Sequence, residues 1–307
     1  MNIQKNILLK DYLSFKIGGP AQYFAKVSDL KDLQDTLAWA KTEKQPLTIL
    51  GGGTNMLVSD QGIKGLVLKL DFNQLEFQAN KVKVGCGVPL AFFLNRSLEE
   101  NLVGLEFAAG VPGTVGGAIR GNAGTYGVAM DSIVKKISYL DENNELKEME
   151  IEQANFAYRH SIFKEKKDWI IIEAKIELAK GDVEKARLIV QERLQYRKDT
   201  QPNEPSAGCI FKNVKFDESD IEALKARKIE VEKFEKFQKI PAAYLIEKAG
   251  LKGHSIGGAK VSEKHANYII NNNQATFEQV IMLISFIKQQ IRDKYGIQLI
   301  EEVQIFV

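Results

Sequence analysis

The sequence predicts an α+β protein of more than one domain, and three observations carry that expectation. Helix-period and strand-period segments are both present along 307 residues, a length that fits two or three domains at about 100–200 residues each. Three β-branched runs, 133–140, 145–151 and 169–178, follow one another across short turns, which describes an antiparallel sheet rather than a βαβ alternation. Two prolines and an asparagine within Thr200-Gln-Pro-Asn-Glu-Pro205 break any helix and set off the last third of the chain.

The elements follow in order. Ser28 or Asp29 caps a helix through about residue 44, with Leu30, Leu33, Leu37 and Trp39 at its apolar positions. Pro46 leads into a strand at 47–50 and a turn at Gly51, Gly52 and Gly53, followed by Thr54 and Asn55. Strands are expected at 66–70 and 82–84, and a short helix at 89–101. A nearly uncharged cassette then runs from 104 to 127, with glycine at eight of 24 positions. After the antiparallel runs, Asp182 caps a helix at 183–198, acidic early and basic late as the macrodipole favours. The Lys/Glu-rich stretch 218–239 reads as a solvated helical face or an insertion rather than a binding patch. Thr276 and Gln279 form a capping box for a last helix with Val280, Leu283, Ile284, Ile287 and Ile291 on its apolar stripe, ended by Gly296. A final strand is expected over 298–307, where strict alternation turns one of Glu301 and Glu302 inward. An inward carboxylate needs a partner or a task.

Composition narrows the function. Hydrophobic residues at 44% and charged residues at 27% suit a soluble globular protein. Lys+Arg and Asp+Glu nearly cancel, 42 against 40, so no broad field draws the chain to nucleic acid or anionic lipid. Two cysteines make no disulfide framework, and no Cys/His spacing suggests a metal. No signal-peptide core opens the chain, and the apolar stretch 280–287 is far short of the ~20 residues that span a bilayer. The expectation is a cytoplasmic protein with reduced thiols.

The two glycine clusters suggest two backbone walls around an extended, phosphate-bearing ligand. Neither is a P-loop, since no Gly-Lys-Ser/Thr occurs. Gly85-Cys86-Gly87 lacks the third glycine of a dinucleotide fingerprint, because position 90 is Leu. Three further places stand out: Tyr158-Arg159-His160-Ser161; the thiol of Cys209 just after Ser206-Ala207-Gly208; and Glu301-Glu302. An isolated Arg in such a run is ordinarily a surface ion pair, and a lone Cys is more often a small buried hydrophobe than a catalyst.

Taken together and in order, these segments resemble the UDP-N-acetylenolpyruvoylglucosamine reductase family from about Ser14 to the C-terminus. The resemblance rests on residues 14–21 (SFKIGGPA), 50–57, 104–127, 158–161, 205–213, 251–258 and Glu302-Val303. It implies a two-part FAD-binding domain of the vanillyl-alcohol-oxidase (PCMH) type, 1–67 and 68–200, and an α+β substrate-binding domain, 201–307, of the family's shorter subclass. It also implies non-covalent FAD, NADPH as reductant, a UDP-sugar substrate and a monomer. In that family hydride passes from NADPH to flavin and from flavin N5 to C3 of the enol ether, and C2 is then protonated. The implied catalytic residues are Arg159 and Glu302 at the substrate carboxylate and Cys209, where the family usually has serine, as proton donor to C2. The implied FAD contacts are Gly51, Gly52, Gly53, Thr54, Asn55, Leu57, Gly110, Pro112, Gly113, Gly116, Gly117, Ala118, Asn122, Gly124 and Arg197. Tyr158, Lys212 and Asn213 are the implied substrate contacts, and Arg120 is a further cation of the cassette. Gln304 stands where the family usually has arginine, which removes one charge near the ligand. Three rivals are weighed against this: a flavin oxidase with Cys86 as tether, a hydrolase pairing Cys209 with His160 or His254, and a flavin-binding protein without turnover.

Overall fold

A computed structural model describes residues 1–307. The chain forms two units, one of Met1–Ile7, Pro20–Gly53 and Ile63–Arg197, the other of Leu8–Gly19, Thr54–Gly62 and Lys198–Val307. The 67/68 boundary implied by the resemblance falls inside the strand Ile63–Leu70.

The first unit holds two main sheets. One has the order Ile3–Leu8, Pro20–Val27, Ile63–Leu70, Leu47–Leu50, and its last three strands are mutually parallel. The helix Leu30–Thr42 makes the crossover from Pro20–Val27 to Leu47–Leu50, the parallel strands that flank Ile63–Leu70. Asp29 is its cap, accepting from the Asp32 N–H, and Leu33, Leu37 and Ala40 are its buried stripe. Leu66, Val67 and Leu68 are all buried, as expected of a parallel strand covered on both faces. The second sheet is antiparallel throughout, in the order Leu146–Glu150, Val134–Leu140, Ile170–Glu177, Lys81–Gly85, Leu75–Gln78. Its core includes Ile137, Leu140, Ala174 and Ile176, against which the helix Leu90–Glu99 buries Phe93, Leu94 and Leu98. Each large side chain so buried contributes about 1.5–3 kcal/mol.

The glycine cassette contains a helix that the composition concealed. Thr114 caps it, Val115–Gly121 form it, and Asn122 ends it in the left-handed region at φ 42°. Glycine lowers helix stability by about 1 kcal/mol per residue relative to alanine, so packing must hold this helix. Val115 and Ile119 are fully buried, and a methyl on Gly116 would lie 2.7 Å from Cys86 Cβ. The unit ends on the helix Val183–Thr200, of which only Ala186 and Val190 are buried.

The second unit has its own core. Its sheet runs Ser206–Cys209, Tyr268–Asn271, Ala259–Val261, Ser255–Ile256, and the helix Phe277–Tyr295 packs on it. That helix carries the expected capping box, apolar stripe and left-handed Gly296. Within 218–239 lie short helical pieces whose Leu224 and Val231 are buried while lysines and glutamates beside them pair at the surface, as in Lys225–Glu232.

The expected strand over 298–307 is mostly absent. Only Gln304–Phe306 of the segment 298–307 form a strand, paired parallel with Met56–Val58. Upstream, the Lys212 N–H donates to Ile300 O and the Glu302 N–H to Ile210 O, so the chain changes partner between 302 and 304. Alternation therefore does not govern Glu301 and Glu302. Glu301 instead pairs with Lys288 at 2.6 Å.

Candidate active site

In the first unit the two glycine clusters meet backbone to backbone. A methyl on Gly52 would lie 2.7 Å from Gly113 Cα, and one on Gly51 would lie 3.1 Å from Thr114 Oγ1. The cassette side of this contact is stitched to 86–90: Leu90 N–H donates to Gly113 O, Val115 N–H to Val88 O and Gly116 N–H to Cys86 O. Lys69 donates to Gly51 O at 3.2 Å from below the first cluster. Burial lowers the Lys69 ammonium's pKa, with Asp71 pulling the other way. Burial also acts to raise the Asp71 carboxyl, but hydrogen bonds from Lys26 and Asn73 outweigh it and hold it below the usual range. A cavity of about 630 Å³ opens here, lined by Gly52, Gly113, Thr114, Gly87, Lys69 and Phe92 among others.

The glycines divide by what requires them. Gly110, at φ 67°, carries Arg197 directly over it, so that a methyl would strike Arg197 Cδ at 2.5 Å. Arg197 thus lies across the loop that contains Pro112 and Gly113. Gly117 is different: it is exposed, and a methyl would meet nothing nearer than Thr114 Oγ1 at 3.6 Å. A methyl on Gly121 would meet nothing within 4 Å. Protein packing does not demand glycine at either position.

Arg159 sits at the tip of a two-residue turn closed by reciprocal bonds between Ala157 and His160, 3.1 and 3.0 Å. Its φ of +56° is rare for a residue with a side chain and costs roughly 1–2 kcal/mol. Several bonds offset that cost. Lys164 donates to Arg159 O at 2.7 Å, the Arg159 Nη1 donates to Gly124 O at 3.1 Å, and Asn122 Nδ2 donates to Ala157 O at 3.1 Å. The guanidinium also lies 5.2 Å from the centre of the Tyr158 ring. Gly124 is required by its own hairpin, since a methyl there would meet Ala129 Cβ at 2.3 Å. Arg120, one turn earlier, is partly buried, and burial alone pulls its guanidinium down.

The second unit positions the remaining residues. Gly208, at φ 77°, forms a bulge between Ser206 and Cys209, and Cys209 pairs with Tyr268. A bulge with left-handed glycine is a device for re-aiming the next side chain. Beyond it, buried Asn267 clamps the strand: its Oδ1 accepts from Phe211 N–H (3.0 Å) and its Nδ2 donates to Phe211 O (2.8 Å). Lys212 follows, and Asn213 Oδ1 accepts from Ala242 N–H at 3.3 Å. Glu302 is partly buried, and its carbonyl receives Asn55 Nδ2 and Gln304 Nε2, each at 3.2 Å. Asn55 and Glu302 are therefore held together, and Gln304 braces the same carbonyl. The Leu57 side chain is buried in this unit's core.

Three residues of this architecture escaped the sequence reading. Lys69 looked like an ordinary strand lysine, and Asn267 lies in no recognisable motif. Asp131, which accepts from Asn122 Nδ2 at 2.9 Å, is nine residues away with no periodic cue.

The arrangement fits FAD. The N–H groups of Gly52 and Gly113 have no acceptor within the protein, a cation sits at Gly51, and the space beside Gly117 and Gly121 is open. The rival roles fit less well. Cys86 is 3% exposed and burial pushes its thiol up to about 12, so it is buried and poorly nucleophilic as a flavin tether. His254 is stacked on Phe286 at 4.4 Å, and His160 pairs with Glu165 at 2.9 Å.

Comparison with known proteins gives consistent results. A family model described as the C-terminal domain of UDP-N-acetylenolpyruvoylglucosamine reductase matches residues 201–306, and one described as an FAD binding domain matches 21–150. A UDP-N-acetylenolpyruvoylglucosamine reductase of Caldanaerobacter subterraneus subsp. tengcongensis is 41% identical over 303 residues, covering 97% of this chain and 91% of its own. Another, of Anoxybacillus flavithermus, is 37% identical over 308 residues, covering 99% and 94%. The crystal structure of UDP-N-acetylenolpyruvylglucosamine reductase from Thermus caldophilus superposes with a TM-score of 0.80 at 27% identity, covering 100% of both chains.

Proposed function

The chain belongs to the UDP-N-acetylenolpyruvoylglucosamine reductase family, and on that footing we propose how its residues divide the reaction. It is an FAD-dependent oxidoreductase that reduces UDP-N-acetylglucosamine enolpyruvate to UDP-N-acetylmuramate, a step of peptidoglycan precursor synthesis. We assign NADPH as the reductant, the cytoplasm as the compartment and a monomer as the working form; no helix is long and apolar enough to cross a membrane.

Bound FAD supplies the hydride relay, from the nicotinamide to C3 of the enol ether. Gly51–Asn55, the loop 110–118 and Arg197 hold its phosphates, and Lys69 fixes the Gly51 carbonyl of the first wall. Arg159 binds the substrate carboxylate and, with Glu302, polarises it, so that charge developing at C2 is delocalised where donors already wait. Tyr158, Lys212 and Asn213 position the sugar nucleotide. Cys209 donates its Sγ proton to C2, and solvent reprotonates the thiolate. A thiol, with an ordinary pKa of about 8.5, is a far better acid than the serine usual at this position.

The observation that carries the reading of Cys209 is the glycine bulge immediately before it, where the backbone conformation and not close packing requires glycine. A methyl on Gly208 would meet nothing within 4 Å, yet φ there is 77°. The test is Cys209→Ala. Flavin bleaching by NADPH should persist while product formation falls at least 10²-fold, the usual span of general-acid contributions. Equal loss of both half-reactions would remove Cys209 from that role.

A further inference from the structure

We infer that Asn122 is the positioning residue for Arg159, fixing both the backbone of its turn and the direction of its guanidinium, and that its side chain serves this purpose rather than the flavin. The proposal rests on the assignment of Arg159 above and extends it to a residue that no part of that assignment requires.

Asn122 is 4% exposed, and its side-chain amide is used wholly within the protein. Nδ2 donates to Ala157 O at 3.1 Å and to the Asp131 carboxylate at 2.9 Å, while Oδ1 accepts from Asp131 N–H at 3.1 Å. Ala157 opens the turn that carries Arg159, so the first bond fixes the turn's base. The two bonds to Asp131 close the far end of the Gly124–Ala129 hairpin back onto the residue that precedes it. Between them lies Gly124, two residues after Asn122, whose carbonyl accepts from Arg159 Nη1 at 3.1 Å. One amide therefore sets the reference for both ends of the arginine: the peptide it hangs from and the carbonyl that orients its head.

The backbone explains why this residue type is used. Asn122 ends the cassette helix in the left-handed region, at φ 42° and ψ 58°. Asparagine tolerates that conformation, as glycine does. Only asparagine among left-handed formers also brings a donor pair and an acceptor on one short side chain. Aspartate would keep the shape but set a carboxylate against the Ala157 carbonyl and the Asp131 carboxylate.

Two variants test this, each alone and combined with Arg159→Lys. Asn122→Gly keeps the left-handed backbone and deletes the amide, and Asn122→Asp keeps the volume and reverses the donor. In anaerobic stopped flow, recolouring of reduced enzyme by the enolpyruvyl sugar nucleotide should slow about 100-fold, the effect of a misplacement near 1 Å. Flavin content and bleaching by NADPH should change little. In the Arg159→Lys background the same substitution should add almost nothing, because the guanidinium it positions is gone. A merely structural role would slow both half-reactions alike, or slow recolouring equally in both backgrounds, and either result overturns the proposal. A crystal structure of Asn122→Gly decides the geometry without any substrate: loss of the Arg159–Gly124 bond supports the inference and its retention refutes it. Failure of the unmutated enzyme to recolour with the enolpyruvyl substrate would instead refute the assigned reaction, and the crystallographic result would still judge Asn122.

Discussion

Arg159 holds a backbone conformation that few arginines adopt, and its turn survives because neighbouring groups over-determine it. Strain maintained in this way marks a residue whose direction matters. Arg159→Lys keeps the charge but loses the planar fork that matches a carboxylate. Recolouring by substrate should fall about 10²-fold, as for removal of one preorganised donor, with bleaching by NADPH preserved. The two cysteines should separate in a thiol titration of the native protein at pH 8. Cys86 is 3% exposed, and burial pushes its thiol up, so it is shielded from reagent and scarcely ionised. Partly exposed Cys209 should react at once, and Cys86 only after unfolding; two fast thiols would contradict the burial described. At this scale the sequence was informative about residue types and silent about their partners. Arg159, Cys209 and Glu302 stood out in the sequence as residue types, and the family resemblance alone assigned them roles. Asp131 and Asn267 did not, and Asn122 was named only as a flavin contact, because their hydrogen bonds go to partners that no periodic spacing marks.

At the scale of elements, the first glycine wall depends on Lys69, whose ammonium holds Gly51 O while itself partly buried. Lys69→Met removes a charge-assisted bond of about 1.5–3 kcal/mol. Reconstitution of apoprotein should show FAD binding at least tenfold weaker, read from quenching of flavin fluorescence. The pH dependence follows from the direction of the shift. Burial lowers the Lys69 pKa, so the ammonium discharges below the ordinary lysine range, and its attraction for phosphate is lost as pH rises through that point. FAD affinity should fall on the alkaline side in the parent protein, and this component should be absent in Lys69→Met. An unchanged affinity would assign Lys69 to the scaffold alone. Most elements were readable from periodicity and caps, as in Leu47–Leu50, Phe277–Tyr295 and the antiparallel runs. The failures have specific causes. Glycines hid the helix Val115–Gly121, which packing against Cys86 stabilises despite its propensity. The final strand is shorter than its apolar pattern because the chain exchanges one neighbour for another at 303.

At the scale of the molecule, each unit has its own core, and the chain crosses from one unit to the other several times. Composition could not show that interleaving: segments 8–19 and 54–62 carry no mark of belonging with the C-terminal third. Repeated glycine at two separated places pointed to a phosphate-bearing ligand, while FAD itself and the two-part FAD-binding fold followed from the family resemblance. Ligand linkage should show in melting. FAD at 100 times its dissociation constant adds about 2.7 kcal/mol, or roughly 5–10 °C for a unit of this size. Absence of any shift would contradict the cradle. The central claim, that one bound flavin links NADPH oxidation to reduction of the enolpyruvyl ether, is tested by sequential anaerobic mixing. NADPH should bleach the protein, and UDP-N-acetylglucosamine enolpyruvate should then restore the colour with one equivalent of UDP-N-acetylmuramate formed. Colour that returns only when oxygen is admitted would contradict it.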